Sequence, residues 1–396
     1  MELLERLHSQ VWSRFIRMPQ GHLLDYADEA GNVSLPTAEE CQRAMPNALG
    51  WWTPIENGSF FAGLYAYALI TKYKKYPDEK TGEEIRILMG GLKQLQDVAR
   101  VDGFIARGVA DDNVSHYPFS SEDQVVPWVL ALYAYLNCDL CEDPQQIRER
   151  LHKTLRAIKD YGWRIPTEID DLIMGSWETS ISWRAAAKLL YCARILYEIT
   201  GEEEDLRHYE ALRDTAPAGW YFTRKELVSH GFSHDMIHNK GLMQSWIFVA
   251  SHLGLTELTR LDPENAQYFG QAVLLDGVTA IRMIDNMKEY DNASDGFDMN
   301  WRRLEPFWKP VGDNTRDAVN NALAMAGFWG KEVVPHRSME HKVLGFSLFS
   351  AWIAVTCGDD RIASLAKQKL EEYAKAIHWE GLHLCYAFAA EAALIS

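Results

Sequence analysis

The feature that most constrains this chain is a recurring pair of unlike helices. The first member of each pair is apolar nearly all round and rich in aromatic and small residues. A short break follows, and then an amphipathic, charged helix. Four copies are plain: "GSFFAGLYAYALITKYKKYPDEKTGEEIRILMGGLKQL" from Gly58, "VVPWVLALYAYLNCDLCEDPQQIRERLHKTLRAI" from Val125, "WRAAAKLLYCARILYEITGEEEDLRHYEALR" from Trp183 and "GFSLFSAWIAVTCGDDRIASLAKQKLEEYAKA" from Gly345. Thr200-Gly201-Glu202 and Cys357-Gly358-Asp359 occupy matching breaks, where Gly ends one helix and an acidic residue favours the start of the next. Two pairs are less regular. One joins "KGLMQSWIFVASHL" from Lys240 to a long helix near "NAQYFGQAVLLDGVTAIRMIDNM". The other involves "EGLHLCYAFAAEAAL" from Glu380, closing against either the first helix or "RDAVNNALAMAGFW".

A helix apolar on every side is buried, whereas an amphipathic one keeps a wet face. Alternating the two kinds predicts an all-α fold with an inner ring wrapped by an outer ring: an (α/α)6 toroid of about twelve helices in hairpins. At 396 residues the chain exceeds the length at which one core usually splits. A ring of repeated units is the standing exception, so residues 1–396 are read as a single catalytic domain. A right-handed α-solenoid would carry a shorter and more regular period.

Charge narrows the partners. Forty Lys plus Arg against 56 Asp plus Glu leave a net charge of −16 with no clustered basic stripe, which disfavours nucleic acid. The opening "MELLERLHSQVWSRF" reads as an amphipathic helix rather than an export signal, and no apolar run is long enough to span a membrane. A cytoplasmic location is expected, or a periplasmic one if a signal has been trimmed. Six scattered cysteines read as reduced thiols in a large core. Cys138 and Cys141 form a lone C-x-x-C with no second pair at zinc-ribbon spacing.

In such a ring the loops entering the inner helices lie together at one end. Those segments read "WWTPIENGSF", "SHYPFSSEDQ", "IDDLIMGSWETS", "SHGFSHDMIHNK" and "HRSMEHKVLG". Each carries Asp, Glu or His, and most add an aromatic ring. The outer-helix starts, such as "DEKTGEE" and "GEEED", are only acidic, which capping and solubility explain. Chemistry is therefore expected at one end.

Glycosidic bonds need a pair of carboxyls, one to protonate the leaving oxygen and one to activate water or attack. Asp123 heads the list because the apolar residues Val125, Val126 and Trp128 follow it at once. Glu178 lies between two tryptophans, and a carboxyl beside apolar rings resists ionising. Asp170 and Asp171 either orient water or form a turn. Ser120–Asp123 and Thr53–Glu56 also have the spacing of capping boxes, the bland alternative. Glu56, Trp51, Trp52 and Trp177 are candidates for holding and stacking a sugar. His230, His234 and His238 recur every four residues with Asp235 among them. Loop hydrogen bonding to a sugar is preferred there over a metal site, since no H-E-x-x-H core is present. His116, Tyr117 and His341 are weaker candidates. Arg107 and Arg337 are the natural partners of a sugar carboxylate, and Arg184, Lys240, Arg302 and Arg303 lie near the expected mouth. No metal and no cofactor is expected, and the oligomeric state is open. No nucleophile elbow, phosphate loop or dinucleotide fingerprint is present.

The stretch "WWTPIENGSFFAGLYAYALITKYKKYPDEKTGEE" resembles the first hairpin of the six-hairpin glycosidases, particularly unsaturated glucuronyl and rhamnogalacturonyl hydrolases. "IDDLIMGSW" is similar to that group's D-x-L-M segment, "YEITGEEEDLRHYEAL" to its next T-G-D hairpin and "WEGLHLCYAFAAEAAL" to its closing helix. The resemblance implies two catalytic aspartates, one falling at Asp123 and the other at Asp171. The gap to Thr200-Gly201 departs from the family's, which keeps Glu178 as a rival second carboxylate. The family's Trp-x-Arg-Gly-Gln is replaced by His238-Asn239-Lys240-Gly241. The resemblance implies hydration of an unsaturated uronide at an oligosaccharide terminus, while these departures leave ordinary hydrolysis of a saturated uronide or a neutral glycoside open. Rival chemistries on this fold are a lyase using Tyr117 and His116 and an epimerase using His234 and His341. A non-catalytic sugar-binding scaffold is the alternative of a different class.

Overall fold

The computed structural model describes residues 2–238, 245–292, 298–328 and 335–396 and is mostly helical. The helices, in chain order, are α1 (Leu3–Gln10), α2 (Ala38–Gln42), α3 (Gly58–Lys75), α4 (Glu79–Asp97), α5 (Glu122–Leu136), α6 (Pro144–Asp160), α7 (Trp183–Thr200), α8 (Glu203–Asp214), α9 (Arg224–Ser229), α10 (Ser233–His238), α11 (Ser245–Leu261), α12 (Ala266–Ala280), α13 (Thr315–Phe328), α14 (Pro335–Met339), α15 (Phe346–Val355), α16 (Asp360–Ala374) and α17 (Ala387–Ile395). Two short antiparallel hairpins interrupt them: β1 (Ile16–Arg17) with β2 (His22–Leu23), and β3 (Ile165–Pro166) with β4 (Ile173–Met174). Ile16 pairs with Leu23, and Ile165 with Met174.

The two helix classes seen in the sequence differ in burial as expected. In α3 every residue from Gly58 to Ile70 is buried, and α5, α7, α11, α15 and α17 are similar. By contrast α4, α6, α8 and α16 bury one face only. Their starts explain their acidity. Asp78, Asp143 and Asp359 each accept a backbone N–H of the following first turn, closing the α4, α6 and α16 N-termini. Gly201 ends α7 in the left-handed region at φ +67°, with its N–H on the Tyr197 carbonyl.

Packing follows a circuit. Helix α3 packs on α5, α5 on α7 and α11, α7 on α11, α11 on α15, α15 on α17, and α17 back on α3. Around it α1 lies on α17, α4 on α3, α6 on α5 and α7, α8 on α7, α12 on α11 and α15, and α16 on α15. One buried cluster draws side chains from Leu7 to Ala393. The α3–α5 crossing is close at Gly63. A Cβ there would lie 2.6 Å from the Pro127 carbonyl group. Pro127 itself lacks the N–H that would have bonded the Asp123 carbonyl one turn earlier. Helix α17 closes against α1 and α3, while α13 puts Ala318 and Ala322 into a separate small cluster with Leu49 and Phe119 and Met325 into the main one. The long helix expected beyond Asn265 stops at Ala280 and gives way to a tight turn over Ile284–Glu289. Among the described residues no helix is long and apolar enough to cross a membrane.

Candidate active site

A cavity of about 700 Å³ opens where the segments leading into the buried helices meet. Its walls come from Trp51, Trp52, Glu56 and Asn57 before α3, Ser121–Asp123 at the start of α5, Met174–Ser176, Ser180 and Ser182 before α7, and Trp246 and Ile247 in α11. Arg337 and Ser338 of α14, His341 and Lys342 of the π-helical turn Glu340–Gly345, and Tyr386 before α17 complete it. Four of the five helix-entry segments named from the sequence contribute lining residues; the described part of "SHGFSHDMIHNK" contributes none.

The α5 wall is an ion-pair network. Ser121 makes no side-chain cap at the start of α5, so the capping box read there does not form. The acidic pair instead meets α7. Lys188, fully buried, hydrogen-bonds Asp123 and lies 3.3 Å from Glu122 Oε1. Arg184, one turn earlier on the same face, is 3.7 Å from Glu122. Burial alone would push the Asp123 carboxyl up. The charges of Lys188, Arg184 and Arg107 outweigh it and hold Asp123 below the usual carboxylate range. Asp123 is therefore an ionised carboxylate at neutral pH.

The cavity is also lined by Asp25, which the sequence reading did not single out. It follows β2, and the Tyr26–Leu384 bridge fastens it beside the entrance to α17. Its Oδ2 accepts the Asn57 N–H at 2.7 Å, and its Oδ1 accepts the Asn57 side-chain amide at 2.8 Å. Among the described residues Asp25 makes no ion pair. Burial first, and then the charge of Glu56, push it up to about 8. Glu56 is better supplied: the Trp52 N–H donates to it at 2.7 Å, and Arg337 Nη2 lies 3.8 Å away. Arg337 rests over the rings of Tyr26 (5.1 Å) and Trp52 (5.6 Å). Trp52 is held at φ +77°, a strained setting for a large side chain, and its ring and that of Trp51 meet edge-on along the cavity.

Two further groups matter. His341 hydrogen-bonds the Tyr386 hydroxyl through Nδ1. Burial, with Arg337 and Lys342 nearby, pushes its imidazole down to about 3, so it is neutral. Arg107 lines the cavity, but its donors go to the backbone carbonyls of Phe119, Glu56 and Ser120. It ties the α3 entry loop to the α5 entry loop.

Several expected site residues lie elsewhere. Asp171 is exposed at φ +62° in the β3–β4 turn, the bland alternative weighed for it. Glu178 is exposed and off the cavity, so no apolar environment acts on its carboxyl. Trp177 is buried against Trp163, off the cavity. His116 Nε2 sits 2.9 Å from Glu168 Oε2, and Tyr117 donates to the Met45 carbonyl; both are buried away from the cavity. Asp235 caps α7 from a distance, accepting the Ser182 hydroxyl and the Trp183 and Arg184 N–H groups. His234 packs edge-on to Trp220, also off the cavity. The His238 side chain, like Lys240, lies outside the described residues. Arg302 and Arg303 pair with Glu40 and Asp298. Among the described residues no group of three or more His, Cys, Asp or Glu could hold a metal ion, and the six cysteines are unpaired.

Lys188 was discoverable. A lysine inside "AAAKLLYCA", on a helix apolar all round, must be paired to be buried. Comparison with models of known families, with curated proteins and with solved structures yields no match.

Proposed function

We propose that this chain is a glycoside hydrolase acting at an oligosaccharide terminus, on an (α/α)6 toroid whose inner ring is α3, α5, α7, α11, α15 and α17. The observation that carries the reading is a sugar-sized cavity with carboxyl groups on two walls in unlike electrostatic settings. Pairs of titratable groups driven apart by their surroundings are how acid and base roles are divided. Asp123, ionised beside Lys188, takes the base or nucleophile role. Trp51, Trp52 and Trp246 offer faces for sugar rings, and Arg337 and Lys342 offer positive charge to a uronate. The resemblance to uronyl hydrolases in the helix-entry segments points the same way, with Asp123 shared and Asp171 not at the cavity.

A second reading has one observation in its favour. The Tyr386–His341 hydrogen bond inside the cavity is the type of pair a lyase uses for β-elimination. Tyr117 and His116, the pair first considered for that chemistry, are outside the cavity, and so is His234, which leaves an epimerase with His341 alone.

Ultraviolet absorbance near the enol-ether band separates these readings. On unsaturated uronyl disaccharides a fall that Asp123→Asn abolishes supports hydrolysis by double-bond hydration. On saturated polyuronides a rise identifies elimination and overturns the hydrolase. With neither change, reducing-end release from saturated uronides and neutral glycosides is the remaining test, and its failure leaves the scaffold reading.

A further inference from the structure

We propose that Asp25, rather than Asp171 or Glu178, is the residue that protonates the leaving oxygen. The inference rests on the hydrolase reading and identifies its second catalytic group.

Asp25 is 2% exposed and lines the cavity. Both of its oxygens are oriented by one residue, Asn57, through the backbone N–H and the side-chain amide. Asn57 is in turn held by Gln124, whose Nε2 lies 3.3 Å from Asn57 Oδ1, and Gln124 is the neighbour of Asp123. The two carboxyl groups are thus linked through Asn57 and Gln124, which fixes their relative placement. A buried carboxyl that makes no ion pair among the described residues, close enough to Glu56 to feel its charge, is costly to ionise. Arg337 and Arg107 both act on it from a distance, Arg337 pairing with Glu56 and Arg107 donating to backbone carbonyls. At neutral pH one proton therefore stays on Asp25, while the Asp123 carboxylate has none to give.

The chemistry balances. The Asp25 proton moves to the glycosidic oxygen as the bond from that oxygen to the anomeric carbon breaks, its electron pair leaving with the oxygen. Water adds to the anomeric carbon, and its proton passes to the Asp123 carboxylate. Asp123 releases that proton to solvent, and Asp25 takes one back. Neither Asp171 nor Glu178 reaches the cavity to do the same.

Two measurements on the whole protein test this. The first needs no substrate: carbon-13 carboxyl resonances of aspartate-labelled protein are followed against pH. One aspartate titrating near pH 8, absent in Asp25→Asn and moved to lower pH in Glu56→Gln, is expected; no aspartate titrating above pH 6 overturns the proposal. The second compares methyl and 2,4-dinitrophenyl glycosides of glucuronic acid, glucose, galactose and rhamnose. A dinitrophenolate departs without protonation. Asp25→Asn should lose about 10³-fold on the methyl glycoside, the scale of general acid catalysis, yet stay within about tenfold on the dinitrophenyl one. Equal losses on both, or none on either, overturn the proposal. If wild type cleaves neither these glycosides nor unsaturated uronyl disaccharides while the aspartate still titrates near pH 8, the hydrolase reading fails and takes the donor role with it. Cleavage of the unsaturated disaccharides alone keeps the hydrolase and overturns the donor role, because that hydration protonates a ring carbon. If wild type cleaves and the titration is missing, only the Asp25 assignment fails.

Discussion

His8 offers the sharpest quantitative prediction, and it lies far from the cavity. Its ring joins three helices. Nε2 is 2.9 Å from Glu84 Oε1 on α4, and Nδ1 is 2.9 Å from Glu391 Oε1 on α17, while His8 itself belongs to α1. Glu391 also accepts the Tyr65 hydroxyl of α3 at 2.7 Å, and Lys80 lies 3.7 Å from Glu84. Glu5, Lys72 and Asp78 line the same hollow. Burial alone would lower the imidazole, but the two glutamates raise it to about 9. The sign follows. A His whose folded value exceeds its unfolded 6.5 stabilises the fold fully below 6.5 and loses that contribution as pH rises to about 9. The difference corresponds to about 3 kcal/mol, discounted little because the side chain is 19% exposed. The assay is urea unfolding of wild type and His8→Gln at pH 6 and pH 9.5. Wild type should lose about 2–3 kcal/mol more than the variant between the two pH values, so the gap between them narrows as pH rises. Parallel losses in both proteins would refute the reasoning, because the titrating group would then be something other than His8.

Three further outcomes are expected. Asp123→Asn should abolish turnover and, by leaving Lys188 with Glu122 alone, lower stability by about 1–3 kcal/mol; Glu178→Gln, on an exposed side chain, should alter neither, as rate assays and urea curves will show. Asp235→Ala should cost about 1–2 kcal/mol through loss of the α7 N-terminal acceptor, read from denaturation midpoints. Gly63→Ala, forcing a methyl against the Pro127 backbone, should cost about 1–3 kcal/mol, whereas alanine at Gly90, which meets nothing within 4 Å, should be neutral or stabilising in thermal unfolding.

The helix pairs were legible because burial class is written at short range. Thirteen successive buried residues in α3 must be apolar or small, and an outer helix must alternate every three to four residues. The breaks were legible for the same reason: Gly201 adopts a left-handed conformation suited to glycine, and Asp78, Asp143 and Asp359 accept N–H groups only three or fewer residues away. The residue mix of the entry loops also anticipated Glu56, Asp123, Arg337 and His341 at one cavity.

Reading failed where partners are distant in the chain. Asp235 sits among histidines and reads as a sugar ligand, yet its acceptor atoms serve backbone donors more than fifty residues earlier. Glu178 is flanked by tryptophans in sequence, but neighbours along an irregular segment point different ways, and its carboxyl faces water while Trp177 faces Trp163.

What the sequence by itself determined is the helical class and the alternation of buried and half-wet helices. These depend on periodicity and on capping within a turn. What only the tertiary structure decided is the protonation pattern of the candidate site. Asp25 and Asp123 are the same residue type with the same intrinsic acidity. Lys188, 65 residues from Asp123, keeps one ionised, while burial beside Glu56 keeps the other protonated. A charge's surroundings are set by everything folded within a few ångströms of it, and that neighbourhood is not recorded along the chain.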